Sequence, residues 1–244
     1  MPRCCSASIT SESQGGVFMT ALPTLTQEYV FFDVDDTLIS IKSMLSFQTF
    51  WYHRTGDDEG QRAYEQDLRQ HLHPGASWEF LNRLYYRHFK GRCPQEVRAM
   101  GRVWFDEMRH GQAPFYHPRP LAELRAHQRA GREVVFVSGS FPALLEPIAQ
   151  ELQVQHLLST RLAVHQGRYT GEILPPQTIG SGKVEALTQF LEAQSAVPEH
   201  CFAYGDDVSD FPMLSAVGQP TVVSGGRELE AKARAMGWWV IAPA

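Results

Sequence analysis

The chain predicts an α/β fold: a parallel sheet covered by helices on both faces, with a helical insertion after the first strand. Three observations carry that expectation. Short, continuously apolar runs rich in Val, Phe and Tyr recur along the chain and alternate with helical stretches; strands buried on both faces read this way. Residues from about 42 to 112 hold several helical stretches and no convincing strand. Acidic and small polar residues follow directly on the apolar runs, at the strand ends where open α/β sheets bind ligands.

The elements follow in order. Residues 29–33 form the first strand. The insertion comes next, with helices expected over 43–53, 60–72, 77–89 and 94–109; Ser77 suits an N-cap and Pro94 a first helical position. Beside the ligand-binding edge, such an insertion is expected to act as a lid. A helix over 118–130 leads into a strand over 133–138 and a helix over 143–152. Leu162 and Val164 alternate before Gly167 and Tyr169, which predicts a β-hairpin over 161–172 projecting from the sheet. A helix over 183–194, a strand over 201–204, a helix over 211–216, a strand over 221–223, a helix over 228–236 and a last strand over 238–241 complete the alternation.

The domain reading is a core of residues 27–41 and 113–244, a helical cap of 42–112 and a tail of 1–26. The tail is rich in Ser and Thr, contains Gly15-Gly16 and lacks periodicity. It is expected to be disordered. Arg3 is its only base and no apolar stretch follows, so it does not read as a secretory signal; Met19 is an alternative start.

Composition narrows the function classes. The 244 residues are 43% hydrophobic, enough for a core, and the net charge of −5 argues against a nucleic-acid binder. No apolar run approaches the roughly 18 residues needed to span a membrane. Cys4, Cys5, Cys93 and Cys201 have neither zinc spacing nor a disulfide framework. A reduced cytoplasm is the expected location.

Four segments carry chemistry. Asp33-Val34-Asp35-Asp36-Thr37 places two carboxylates, two positions apart, at the exit of the first strand. In a loop such a pair can converge on one metal or one reacting atom. Ser138-Gly139-Ser140 puts a hydroxyl and flexible backbone amides at the end of the second strand, which suits a phosphate oxygen. Gly180-Ser181-Gly182-Lys183 opens a helix with a cation able to neutralise an anion. Gly205-Asp206-Asp207-Val208-Ser209-Asp210 follows a buried strand; three carboxylates there are costly without a cation, and oxygen ligands favour Mg²⁺. Each segment also has an ordinary reading, as a helix cap or a solvated side chain. Their order and placement together do not.

That order resembles the haloacid dehalogenase superfamily and, within it, the phosphoserine-phosphatase-like branch. The matching residues are Asp33, Asp35, Thr37, Ser138, Lys183, Asp206 and Asp210, within about residues 29–225. The resemblance implies a Rossmann-like parallel sheet core with a helical cap inserted after the first strand. It implies a Mg²⁺-dependent phosphomonoesterase acting on a small phosphorylated metabolite through an aspartyl-phosphate. Asp33 is then the nucleophile and Asp35 the general acid and base. Mg²⁺ sits on the Asp33 side chain, the Asp35 backbone carbonyl and the Asp206 side chain. Ser138, Gly139 and Lys183 bind the phosphoryl group, with Asp210 and Thr37 in support. Asp35 separates such an ester hydrolase from the dehalogenases and transport ATPases of the superfamily. A phosphotransferase or mutase, and a non-catalytic phosphate-binding regulatory protein, are the alternatives.

The expected partner is a small-molecule phosphate ester, with neither nucleic acid nor membrane. Phosphoserine phosphatases carry a Glu nine residues after the nucleophile, where this chain has Lys42. A cation there is expected to repel an ammonium and favour an anionic group, with Arg87 as a further candidate contact. Free phosphoserine is accordingly expected to be a poor substrate. The many aromatic residues of the insertion are expected to form mostly its own core, with one or two lining a pocket for an apolar or planar substrate.

Overall fold

The computed structural model describes residues 27–73 and 75–244; the expected disordered tail lies outside the described residues. The chain begins with β1 (Tyr29–Phe32). Four inserted helices follow: α1 (Ser43–Thr55), α2 (Asp58–His71), α3 (Trp78–Arg87) and α4 (Pro94–Arg109). The first half of the core then runs α5 (Pro118–Arg129), β2 (Glu133–Ser138), α6 (Pro142–Leu152) and β3 (His156–Ser159). A hairpin of β4 (Arg161–His165) and β5 (Arg168–Leu174) leads to α7 (Ser181–Gln194), β6 (Phe202–Gly205), α8 (Phe211–Ser215), β7 (Gln219–Val223), α9 (Arg227–Ala235) and β8 (Trp239–Ile241).

Six strands form one sheet in the order β3-β2-β1-β6-β7-β8, and every pairing is parallel. Alternation of side chains divides each central strand between two cores. Val30, Phe32, Val134 and Phe136 face one hydrophobic cluster. Tyr29, Phe31, Val135 and Val137 face the other, which α7, α8 and α9 cover with Leu187, Leu214 and Leu229. The chain builds outward from β1 to β3, then returns to place β6 on the other side of β1. The carboxyl ends of β1 and β6 thus flank a topological switch point, the usual ligand crevice of open α/β sheets.

The inserted helices are not a separate body. Phe47, Tyr86 and Trp104 share the first cluster with Phe136 of β2 and with Phe141 and Leu144 at the start of α6. α4 lies so close on α6 that a Cβ at Gly101 would stand 2.1 Å from the carbonyl oxygen of Ala143. The expected lid is therefore anchored through α4, while α2 and α3 overhang the carboxyl edge of the sheet. The hairpin also departs from expectation. It docks on the inserted helices: Gly91 N–H donates to the Tyr169 carbonyl at 2.8 Å, and Tyr169 N–H to the Arg92 carbonyl at 3.0 Å.

Candidate active site

β1, β2 and β6 end on one side of the sheet, and the four acidic or polar segments meet there. Asp33 continues β1; its backbone N–H donates to the Tyr204 carbonyl of β6 at 2.9 Å, which fixes where its side chain starts. The turn after it is tight. Asp36 takes φ +62°, a left-handed conformation that Asp tolerates better than most residues, and Leu38 and Ile39 both donate to the Val34 carbonyl.

Lys183, in the first turn of α7, is buried and reaches both sides of the cluster. Its Nζ donates to Asp33 Oδ1 at 2.5 Å and to Asp210 Oδ1 at 2.6 Å. Burial opposes its charge, but Asp210 and Asp33 more than offset that and hold the ammonium well above the ordinary lysine value. Asp210 is fixed in turn: its Oδ2 accepts from the backbone N–H groups of Asp206 and Asp207, at 3.1 and 3.2 Å. Gly205 makes this approach possible, since a Cβ there would lie 2.6 Å from Asp210 Cβ. Asp207 accepts from Ser209 N–H at 2.9 Å and shapes the loop. Thr37 Oγ1 donates to Asp206 Oδ1 at 2.6 Å.

Asp33, Asp206 and Asp210 bring carboxylate oxygens within 4.8 Å of one another. One buried ammonium faces the three, so the cluster is short of positive charge. Burial raises the Asp33 and Asp206 carboxyls; Lys183 pulls Asp33 back down, whereas Asp33 and Asp210 push Asp206 further up. Both oxygens of Asp210 are already engaged, which leaves Asp33 and Asp206 as the open ligands. An all-oxygen, electron-rich donor set of this kind fits a hard divalent cation.

Asp35 is set apart from the cluster. Its Oδ2 accepts from Ser43 N–H at 3.0 Å and from Ser43 Oγ at 2.9 Å, at the start of α1. Its Oδ1 is buried with no hydrogen-bond partner. Burial, with the Asp33 charge behind it, raises Asp35 to about 7 despite the Ser43 bond.

Ser138 Oγ accepts from Ser140 N–H at 3.1 Å, which leaves its own hydrogen free to donate. The Gly139 carbonyl is held from the inserted helices, by Asn82 Nδ2 at 2.9 Å and Tyr86 Oη at 3.0 Å. Ser43, Asn82 and Tyr86 were not found from the sequence. Ser43 carried only the signal of a helix start, and Asn82 and Tyr86 only their four-residue spacing on one helix face.

A cavity of about 230 Å³ opens over this floor, walled by α1, α2 and α3. Asp33, Asp35, Ser138, Gly139, Lys183, Asp206 and Asp210 all line it; Thr37 lies beneath, fully buried. Lys42 also lines it, but its Nζ is 2.8 Å from Asp36 Oδ2. Burial works against the Lys42 charge and Asp36 raises it, for a net upward shift. Arg87 is exposed and lies outside the cavity lining, with its backbone against the hairpin at Gly171.

A parallel α/β sheet thus carries paired carboxylates at the exit of β1, a buried lysine and a second acidic turn at one edge. The chain belongs to the haloacid dehalogenase-like hydrolases, whose family model matches residues 30–215. It is a phosphatase of that family. A probable phosphatase of Mycobacterium tuberculosis is 32% identical over 214 residues, covering 86% of this chain and 74% of the relative. A histidinol-phosphatase of Neisseria meningitidis is 24% identical over 230 residues, covering 86% and 96%. A substrate-bound phosphoserine phosphatase structure shares the fold, with a TM-score of 0.62 at 18% identity over 88% of this chain and 92% of that one. Among the described residues, no helix is long and apolar enough to cross a membrane.

Proposed function

We propose that this chain is a Mg²⁺-dependent phosphomonoesterase for a small phosphorylated metabolite, working through an aspartyl-phosphate at Asp33. Residues 42–112 act as the cap over a core of 27–41 and 113–244. The observation that carries the reading is the buried chain Asp210–Lys183–Asp33 beside Asp35. Lys183 aims Asp33 and pulls its burial-raised carboxyl back down, while the neighbouring Asp35 is raised to about 7. Pairing with a buried ammonium suits Asp33 to the nucleophile's role, and burial without one suits Asp35 to the acid's.

Asp33 attacks the phosphorus in line, forming an acyl-phosphate bond as the ester P–O bond breaks. Asp35 gives its proton to the departing alkoxide. Its Oδ2 is held by Ser43, so the unpartnered Oδ1 is the oxygen that donates. Asp35, now a carboxylate, takes a proton from water as the water oxygen attacks the phosphorus; the bond between phosphorus and the Asp33 oxygen breaks, which releases inorganic phosphate and restores the Asp33 carboxylate. Lys183 and the Ser138 hydroxyl stabilise the transferring oxygens. Mg²⁺, held by Asp33, Asp206 and the Asp35 carbonyl, would offset the repulsion between an anionic nucleophile and an anionic ester. The presence of Asp33, Asp35, Lys183 and Asp206 together speaks against a non-catalytic phosphate binder.

The test is Asp33→Asn in a Mg²⁺-dependent assay on acetyl phosphate. The amide is nearly isosteric but cannot form the acyl phosphate. Loss of about a thousandfold, ~4 kcal/mol of barrier, is expected. Retention of a tenth of the wild-type rate would rule out covalent catalysis at Asp33.

A further inference from the structure

We infer that the cavity above Asp33 selects phosphate monoesters whose alcohol carries an uncharged apolar or planar body, over bodies that carry ammonium or carboxylate groups. The inference rests on the catalytic reading above and adds its substrate class.

The walls carry it. Leu45 of α1, Tyr64 and Leu68 of α2, Trp78 and Leu81 of α3, and Ile179 before α7 close around the space that a substrate body must occupy. Beyond the acidic floor, Lys42 is the single charged wall residue among the described residues. Its charge is already matched by Asp36 at 2.8 Å, and its Nζ lies 5.5 Å from the centroid of the Trp78 ring. The neighbouring charges of α3 do not line the cavity. Arg83 Nη1 donates to Gln177 Oε1 at 2.5 Å, and Glu79 stands where a Cβ on Gly180 would be. An amino-acid body would bring an ammonium and a carboxylate to walls whose one charged side chain is already paired and whose unpartnered polar atoms, the Tyr64 and Tyr85 hydroxyls, carry no charge, an unfavourable burial.

The mouth points the same way. Leu45, Leu72 and Trp78 line the cavity, yet are 42%, 57% and 41% exposed. Large apolar side chains gathered and exposed at one opening mark a surface that a ligand covers. The size limits that ligand. A space of about 230 Å³, below the roughly 300–1,000 Å³ of most small-molecule sites, leaves room beside the phosphoryl group for one ring or a short chain.

The experiment uses the purified full chain with Mg²⁺ and five phosphates. Acetyl phosphate has no body to fill the cavity and reports the catalytic reading alone. 2-Phenylethyl phosphate and hexyl phosphate carry apolar bodies; O-phosphoserine and 3-phosphoglycerate carry charged ones. The kcat/KM of both apolar esters is expected to exceed that of both charged esters by about tenfold or more. Trp78→Ala and Leu45→Ala, both at exposed positions, are expected to lower the preference for 2-phenylethyl phosphate over acetyl phosphate by several-fold, through KM. Hydrolysis of acetyl phosphate with phosphoserine or 3-phosphoglycerate matching the apolar esters would overturn the inference and leave the catalytic reading standing. So would an unchanged preference in both variants. Absence of acetyl phosphate turnover would remove the catalytic reading and this inference with it.

Discussion

The side-chain amide of Asn82 donates to the Gly139 carbonyl at 2.9 Å, which ties α3 to the turn that closes the phosphate site. The other end of the same peptide unit, Ser140 N–H, donates to Ser138 Oγ. A helix of the insertion thus sets the plane of a peptide whose orientation decides which way the Ser138 hydroxyl can donate. Asn82→Leu is expected to lower kcat/KM about tenfold, or ~1.4 kcal/mol, the size of a typical lost hydrogen bond. Competitive inhibition by inorganic phosphate should weaken in parallel. Tyr86→Phe, which leaves the Asn82 bond in place, should lose less. An unchanged phosphate inhibition constant in Asn82→Leu would dissociate the helix from the phosphate site.

Asp35→Asn separates the two carboxylates of the first motif. In single-turnover phosphorylation, alkyl phosphates should slow far more than aryl phosphates, because an aryl leaving group barely needs a proton. Equal losses for both would remove Asp35 from the general-acid role.

Lys183→Met tests the electrostatics of the floor. It leaves two buried carboxylates that shared the ammonium without it. Denaturant unfolding should register a loss of about 3–5 kcal/mol without Mg²⁺. Added Mg²⁺ should restore more stability to this variant than to the wild type. A variant as stable as the wild type in EDTA would mean that the ammonium does not offset the carboxylate charge.

Asp35 is raised from 3.8 to about 7, and Asp33 and Asp206 are also raised. Between 3.8 and the raised values the folded chain holds protons that the unfolded chain does not. The metal-free protein should therefore lose stability as pH rises through that window. Mg²⁺ takes the place of those protons, so the gain in Tm on adding it should be larger at pH 8 than at pH 6. Equal gains at both would contradict the raised carboxyls.

Much of this was legible in the sequence, and what was not has physical reasons. β1, β2 and the inserted helices showed themselves by continuous burial or by caps; Ser77 does accept from Phe80 N–H. β3 was missed because His156–Ser159 is a half-buried edge strand of four residues, without the apolar run of a central one. β7 begins at Gln219, two residues early, because Gln-Pro reads as a turn and yet pairs with β6. The acidic and lysine residues of the floor were legible because strand ends and a helix start place them regardless of packing. Asn82, Tyr86 and Ser43 depend on how the inserted helices settle on the sheet, which local patterning does not encode. The pairing of Lys42 with Asp36 was hidden for a related reason. It depends on the left-handed turn at Asp36, and it leaves the expected anion contact already matched.

Covalent catalysis at Asp33 is tested most directly by quenching turnover in acid and mapping the phosphoryl group by peptide mass spectrometry. One hydroxylamine-labile phosphoryl group is expected on the peptide containing Asp33, present with Mg²⁺ and substrate and absent in Asp33→Asn. A phosphoryl group on another residue, or sustained turnover with no trapped phosphoenzyme under conditions that slow its hydrolysis, such as Asp35→Asn, would contradict it.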